Sequence, residues 1–239
     1  MTGERPLSDV TELDGYGHGI TGVTPNGRRH MPRIVLRAVR KEFGVLKGIV
    51  FLALSLVRSV LVKRRNPEGM RLAADYSSEF ANDFPMIVGM YETHSNWTDA
   101  DEAYGFLRTI VQTSAQYQMY DLYPVEELQE FTDPFEAFKR YNYGIFADDD
   151  NYPMEEFVDE PNHCQIMVGS CANVQIAHAF GYPELAKLGC DHDLAGYPLI
   201  EDDVDAVFRR SQTIAKGADS CDFQFYRKGT EPDATFENR

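Results

Sequence analysis

The sequence predicts an α+β protein in which N-terminal helices pack on an antiparallel sheet formed mainly by the C-terminal half, with a small-molecule pocket between them. Three observations predict it. Apolar residues recur at helical spacing from Ile34 to about Tyr120. Polar and apolar residues then alternate through Gln165, Ile166, Met167 and Val168, and strand-forming residues return at Phe208 and from Asp222 to Arg227. The 239 residues, 43% of them apolar, are enough for one hydrophobic core of moderate size.

Residues 1–30 carry Gly15, Gly17, Gly19, Gly22, Pro25 and Gly27 among scattered polar residues and read as a flexible arm. Residues 31–66 read as a basic and apolar helical extension. Pro32 suits a first helical turn; Ile34, Val35, Leu36 and Val39 follow, with Arg33, Arg37, Arg40 and Lys41 on the polar side. Residues 45–62 are the most apolar run of the chain, interrupted by Lys47, Ser55 and Arg58 and closed by Lys63-Arg64-Arg65. At about 100° per residue, Lys47 and Arg58 fall about 20° apart and Ser55 about 60° from Arg58, which makes a narrow polar stripe. A spanning helix needs about 20 predominantly apolar residues, so two cations on one side of this run fit a span poorly. A core helix or a homo-oligomer interface through residues 45–62 is the first reading, and peripheral membrane contact through residues 33–65 is the alternative.

Residues 67–228 form the main domain, opened by the turn Asn66-Pro67-Glu68-Gly69. Met70, Leu72, Ala73, Tyr76, Phe80 and Phe84 describe a helical face that Pro85 is expected to break. Thr93 to Thr98 reads as a polar turn, and Thr98, Asp99, Asp101 and Glu102 supply the cap and first-turn acids of a long helix. Asp133-Pro134 opens a further helix with Phe135, Phe138, Tyr141 and Tyr143. The run Asp148-Asp149-Asp150 is expected to be a solvated loop. Glu155 to Val158 and His163 to Val168 form a strand pair; Phe208 to Ile214 and Asp222 to Arg227 form a second. Residues 229–239 read as a polar, disordered tail.

The second strand runs into Gly169 and Ser170, then Cys171, and Asn173 to Phe180 is helical until Gly181 stops it. A thiol at a helix N-terminus is favoured as thiolate by the unpaired N–H groups and the helix dipole. Beyond it stand Pro183-Glu184-Leu185, Cys190 with Asp193, Phe208-Arg209, Thr213, Gly217 and Cys221-Asp222-Phe223. In order and spacing these residues resemble the L-2-amino-thiazoline-4-carboxylic acid hydrolase family, with Ala172 standing where the family pattern carries a proline. The resemblance implies a hydrolase that opens a small C=N-containing heterocycle, a 2-aminothiazoline carboxylate or its like, to a carbamoyl-cysteine.

The residues expected to do this are Cys171 as nucleophile and Asp193 as acid/base, protonating the departing nitrogen and then activating water. Cys190, one helical turn before Asp193, and Cys221 join them as catalytic candidates. Arg209 is expected to pair with the substrate carboxylate, because a guanidinium fork matches it. His192 and His94 are the further substrate-binding candidates. Thiolates of Cys171, Cys190 and Cys221 with His192 offer an alternative zinc site, although the usual Cys-x-x-Cys pairs are missing; no metal and no cofactor are called for. The competing function is a non-catalytic small-molecule-binding module attached to a membrane surface or a partner by its basic N-terminal helices.

Net charge is −15, yet residues 1–71 carry 13 Lys/Arg against 6 Asp/Glu. An acidic body repels phosphate backbones and no nucleic-acid motif accompanies the basic front, so no nucleic-acid partner is expected. Four cysteines in a chain of this length do not make a secreted disulfide framework. The expected compartment is the cytoplasm, with the membrane-surface alternative kept.

Overall fold

Among the described residues six α-helices precede the first strand, and all four strands fall in the C-terminal half, the segregation expected of an α+β chain. A computed structural model describes residues 5–20, 24–234 and 236. Among them the helices are α1, Pro25–Arg65; α2, Pro67–Tyr76; α3, Ser78–Ser95; α4, Ala100–Leu122; α5, Val125–Leu128; α6, Pro134–Ala147; α7, Ala172–Phe180; and α8, Lys187–Gly196. The strands are β1, Met154–Glu160; β2, His163–Val168; β3, Ala206–Arg209; and β4, Cys221–Arg227. The chain divides into two compact units. The residues up to Ile20, Gln118–Ala172 and those from Asp193 onward form the sheet unit, while the residues up to Tyr117 between these segments and Asn173–His192 form the helical unit.

In the sheet unit the strands lie in the order β1-β2-β4-β3, every neighbouring pair antiparallel. Register pairs Val168 with Cys221, Ile166 with Phe223, and Phe208 with Phe225. β2 and β3 therefore run in one direction and β4 in the other, so the ends of β2 and β3 and the start of β4 share one end of the sheet. Asp133 caps α6, accepting the Glu136 N–H at 3.0 Å, and Pro134 occupies its first turn. The helix lays Phe138 against Phe225 and Phe146 against Phe223, with ring centroids 5.1 and 5.6 Å apart. Tyr197 closes the core over Phe208 at 4.4 Å.

Part of the expected flexible arm is anchored here. Leu7–Glu12 is a 3-10 turn, and Val10 and Leu13 are buried in the sheet unit's core. The Arg5 N–H donates to Glu130 O and the Tyr141 hydroxyl donates to Asp14 O. Residues 1–4 and 21–23 of the arm, with 235 and 237–239 of the tail, lie outside the described residues. The tail is not wholly loose either, since Phe236 is buried, its ring centroid 6.2 Å from that of Tyr226. The triple-acid run also differs from the solvated loop expected. Asp149 is buried because its carboxylate accepts backbone N–H groups from Ile20, Asn151 and Tyr152.

In the helical unit α1 starts earlier than Pro32 implies. Thr24 caps it by accepting the Gly27 N–H, and Pro32 sits inside the helix. The chain bends at Gly44, whose φ of 72° favours glycine, so the basic and the apolar segments are separate helical arms. α3 runs on through Pro85 to Ser95, so neither the break at that proline nor a full turn over Thr93–Thr98 forms. The buried stripe of the apolar arm is Gly48, Phe51, Ser55, Ser59 and Val62. α3 packs on it so closely that a Cβ on Gly89 would stand 2.6 Å from Ser55 O.

Candidate active site

The shared end of the sheet gathers chemistry from four chain segments. β2 ends at Val168 and leads through Gly169 and Ser170 to Cys171, which immediately precedes α7. The first amide of α7, on Ala172, donates to Asn151 O at 3.0 Å. That bond ties the Cys171 junction to the loop that Asp149 organises. β4 begins at Cys221, opposite Val168, and β3 delivers the Arg209-Arg210 pair to the same end.

Successive residues of an extended chain point to opposite sides, and here the two arginines part. Arg210 is fully buried, its Nη1 3.2 Å from Asp193 Oδ2, and its guanidinium carbon lies 5.9 Å from the Phe208 ring centroid. Arg209 instead lies 4.0 Å from Glu201 and 3.9 Å from Glu231, with Nη1 donating to Phe208 O. The cation paired with the expected acid/base is thus Arg210, which sequence reasoning passed over in favour of its neighbour. The turn after it is fixed by Asp222, which is buried and accepts the Ser211 and Gln212 N–H groups, the Ser211 hydroxyl and the Gln224 amide.

The Cys221 thiol feels the charges gathered at this end. Burial pushes its thiol up to about 11; the Ile214 N–H, donated to Sγ at 3.2 Å, works against that, Cys171 and Asp193 push it higher, and Arg210 pulls it down. Cys171, Asp193, Arg210 and Cys221 are therefore within electrostatic reach of one point. Asp193 and Arg210 also act on the buried Tyr197 hydroxyl, pushed up first by burial, and Tyr197 shares a 3.0 Å hydrogen bond with Tyr123. Tyr123 donates to Asn142 Oδ1 at 2.6 Å. Among the described residues four buried side-chain polar atoms of this unit, Asn142 Nδ2, His163 Nε2, Arg209 Nε and Thr213 Oγ1, have no hydrogen-bond partner. Orphaned buried polar atoms are uncommon and mark a place where a ligand or water completes the bonding.

The remaining sequence candidates belong to the helical unit. Cys190 and His192 are half-buried on α8, the helix that also carries Asp193. Beside them Asp191 pairs with Arg108 at 3.1 Å and accepts the Tyr104 hydroxyl. His94 is buried in an aromatic cluster with Phe43, Phe51 and Phe106, and its Nδ1 shares a 2.8 Å hydrogen bond with the Thr98 hydroxyl. Cys164, at the middle of the sheet, is wholly buried, and burial pushes its thiol up to about 12. None of the four cysteines is in a disulfide. Among the described residues, no three His, Cys, Asp or Glu side chains gather as a metal site would require.

No curated protein and no solved structure matches the chain at a significant level. The family pattern of L-2-amino-thiazoline-4-carboxylic acid hydrolase matches residues 80–225, more than half of the chain, and that span contains every one of the clustered residues. The chain belongs to the L-2-amino-thiazoline-4-carboxylic acid hydrolase family.

Proposed function

We propose that this protein is a hydrolase that opens a small carboxylate-bearing heterocycle at an amidine-like carbon, with Cys171 as nucleophile and Asp193 as the proton carrier. The observation that carries this reading is the placement of Cys171, just beyond β2, at the sheet end where β4 starts with Cys221 and β3 leads into the Arg210–Asp193 pair. Asp193 takes the Cys171 proton as the sulfur attacks the carbon of the C=N bond, forming a C–S bond while the π electrons move onto nitrogen. One ring bond of that carbon then breaks, and Asp193 returns the proton to the departing heteroatom. Water adds to the covalent intermediate, giving its proton to Asp193. The Cys171 sulfur leaves and regains that proton, so one water is consumed per ring opened.

Arg210 orients Asp193 through their ion pair and, as the cation that acts on the Cys221 thiol, takes the carboxylate-binding role expected of Arg209. Tyr197 and Tyr123, held neutral by burial, offer hydroxyl hydrogen bonds rather than charge. Cys190, His192 and His94 remain candidates from the helical unit with no part in these steps. The test is to incubate the full chain with 2-aminothiazoline-4-carboxylate and follow water uptake by mass spectrometry, with assays for a new thiol and a new amine. A new thiol identifies cleavage of the ring C–S bond, and a new amine identifies the C–N bond. Absence of ring opening for this compound and related cyclic amidine carboxylates would refute the reading.

A further inference from the structure

The apolar arm of α1 is built inside-out for a helix in water. Its buried stripe consists mainly of small or polar residues, Gly48, Ser55 and Ser59 with Phe51 and Val62, and it takes the backbone of α3 at Gly89. The Arg58 guanidinium also turns to α3, donating to Glu92 O. The large aliphatic side chains point the other way: Leu46 is 81% exposed, Ile49 62% and Val57 58%, and Val45, Val50, Leu56, Val60 and Leu61 are also exposed. At about 100° per residue these positions sweep roughly half the helix circumference. A soluble amphipathic helix does the reverse, burying its aliphatics. Only 28% of the 18-residue window of highest hydropathy is buried, which separates it from the core helix of a water-soluble domain.

Charge names the partner. Residues 25–65 carry eleven Lys/Arg against the single acid Glu42, in a chain whose net charge is −15. Arg40 and Lys41 flank the apolar arm on one side and Lys63, Arg64 and Arg65 on the other. Aliphatics between cationic ends match a bilayer interface, where the apolar face enters the acyl boundary and the cations meet anionic headgroups. Two copies joined through this face would bring like charges together. A span would have to carry α3 with it, and α3 holds Glu79, Asp83 and Glu92; among the described residues α1 alone is long and apolar enough to cross a membrane. We infer that the arm from Val45 to Val62 lies in the surface of an anionic phospholipid bilayer, apolar face down, with α3 on its other side.

The experiment is co-sedimentation of the full chain with vesicles of pure phosphatidylcholine and with vesicles containing phosphatidylserine. Binding should be at least about tenfold tighter to the anionic vesicles and should fall as salt rises. The double variant L46E/I49E, altered at two exposed positions and expected to keep the wild-type melting curve, should lose binding by about tenfold or more. Three results would overturn the inference: no binding to anionic vesicles, binding unchanged in the variant, or resistance to alkaline carbonate extraction, which marks a span. A lipid-free dimer that the variant abolishes, without vesicle binding, would assign the face to a second copy instead.

Discussion

Arg210 and Asp193 are paired at 3.2 Å with the guanidinium almost wholly buried and the carboxylate about a quarter exposed. A buried cation depends on its partner, whereas the partner can still reach substrate and water. Asp193→Ala removes the carboxylate paired with a buried cation and should therefore lower stability by roughly 2–4 kcal/mol and stop turnover. Arg209→Ala removes two ion-pair contacts at 4.0 and 3.9 Å and the hydrogen bond to Phe208 O, and should cost only about 1 kcal/mol. Urea denaturation of both variants checks the contrast, and a loss at position 209 equal to that at 193 would contradict it.

Three of the four thiols should separate in their reactivity at pH 8. Burial holds Cys221 up at about 11 and Cys164 up at about 12, so both stay protonated at pH 8, whereas Cys171 is only half-buried. Iodoacetamide at that pH should label Cys171 well before either. The same shifts affect stability with a definite sign. The unfolded chain loses these protons near pH 9 while the native chain keeps them, so this contribution is full below about pH 9 and is lost as pH rises toward about 11 for Cys221 and about 12 for Cys164. The urea midpoint should fall over that window, and Cys164→Ala should flatten the fall.

Gly89→Ala tests the packing of α3 on α1. The new Cβ would stand 2.6 Å from Ser55 O and 2.8 Å from Ser59 N, and both are backbone atoms that cannot swing aside. A loss of about 1–3 kcal/mol is expected, against the small gain that Gly to Ala brings in an open helix. A thermal melt at or above that of the parent would show that the two helices do not approach so closely.

What the sequence made legible was local. Alternation from Gln165 to Val168 and the glycine stop at Gly181 marked the β2–Cys171–α7 junction, because each signal is read within a few residues. The choice between Arg209 and Arg210 was not local, since it depends on the register of β3 against β4, whose nearest pair joins Arg209 to Gln224. Asp149 looked like a solvated acid until a chain segment 129 positions away supplied the Ile20 N–H. In α1 the position of the Lys47, Ser55 and Arg58 stripe was readable from spacing, but which side faces protein was not. Only α3, seated on the serines, settles that the aliphatics are outside. Pro32 and Pro85 misled as well, since both helices continue through them.

The central claim is that Cys171 forms the covalent bond to substrate. The most direct measurement is to mix the protein with 2-aminothiazoline-4-carboxylate, quench in acid within the first turnover, and map the adduct by peptide mass spectrometry. A substrate-derived mass is expected on the Cys171 peptide, absent from those of Cys164 and Cys221, with neither adduct nor turnover in a folded Cys171→Ser variant. Near-normal turnover by Cys171→Ser would contradict it, and would pass the chemistry to Asp193 acting directly on water.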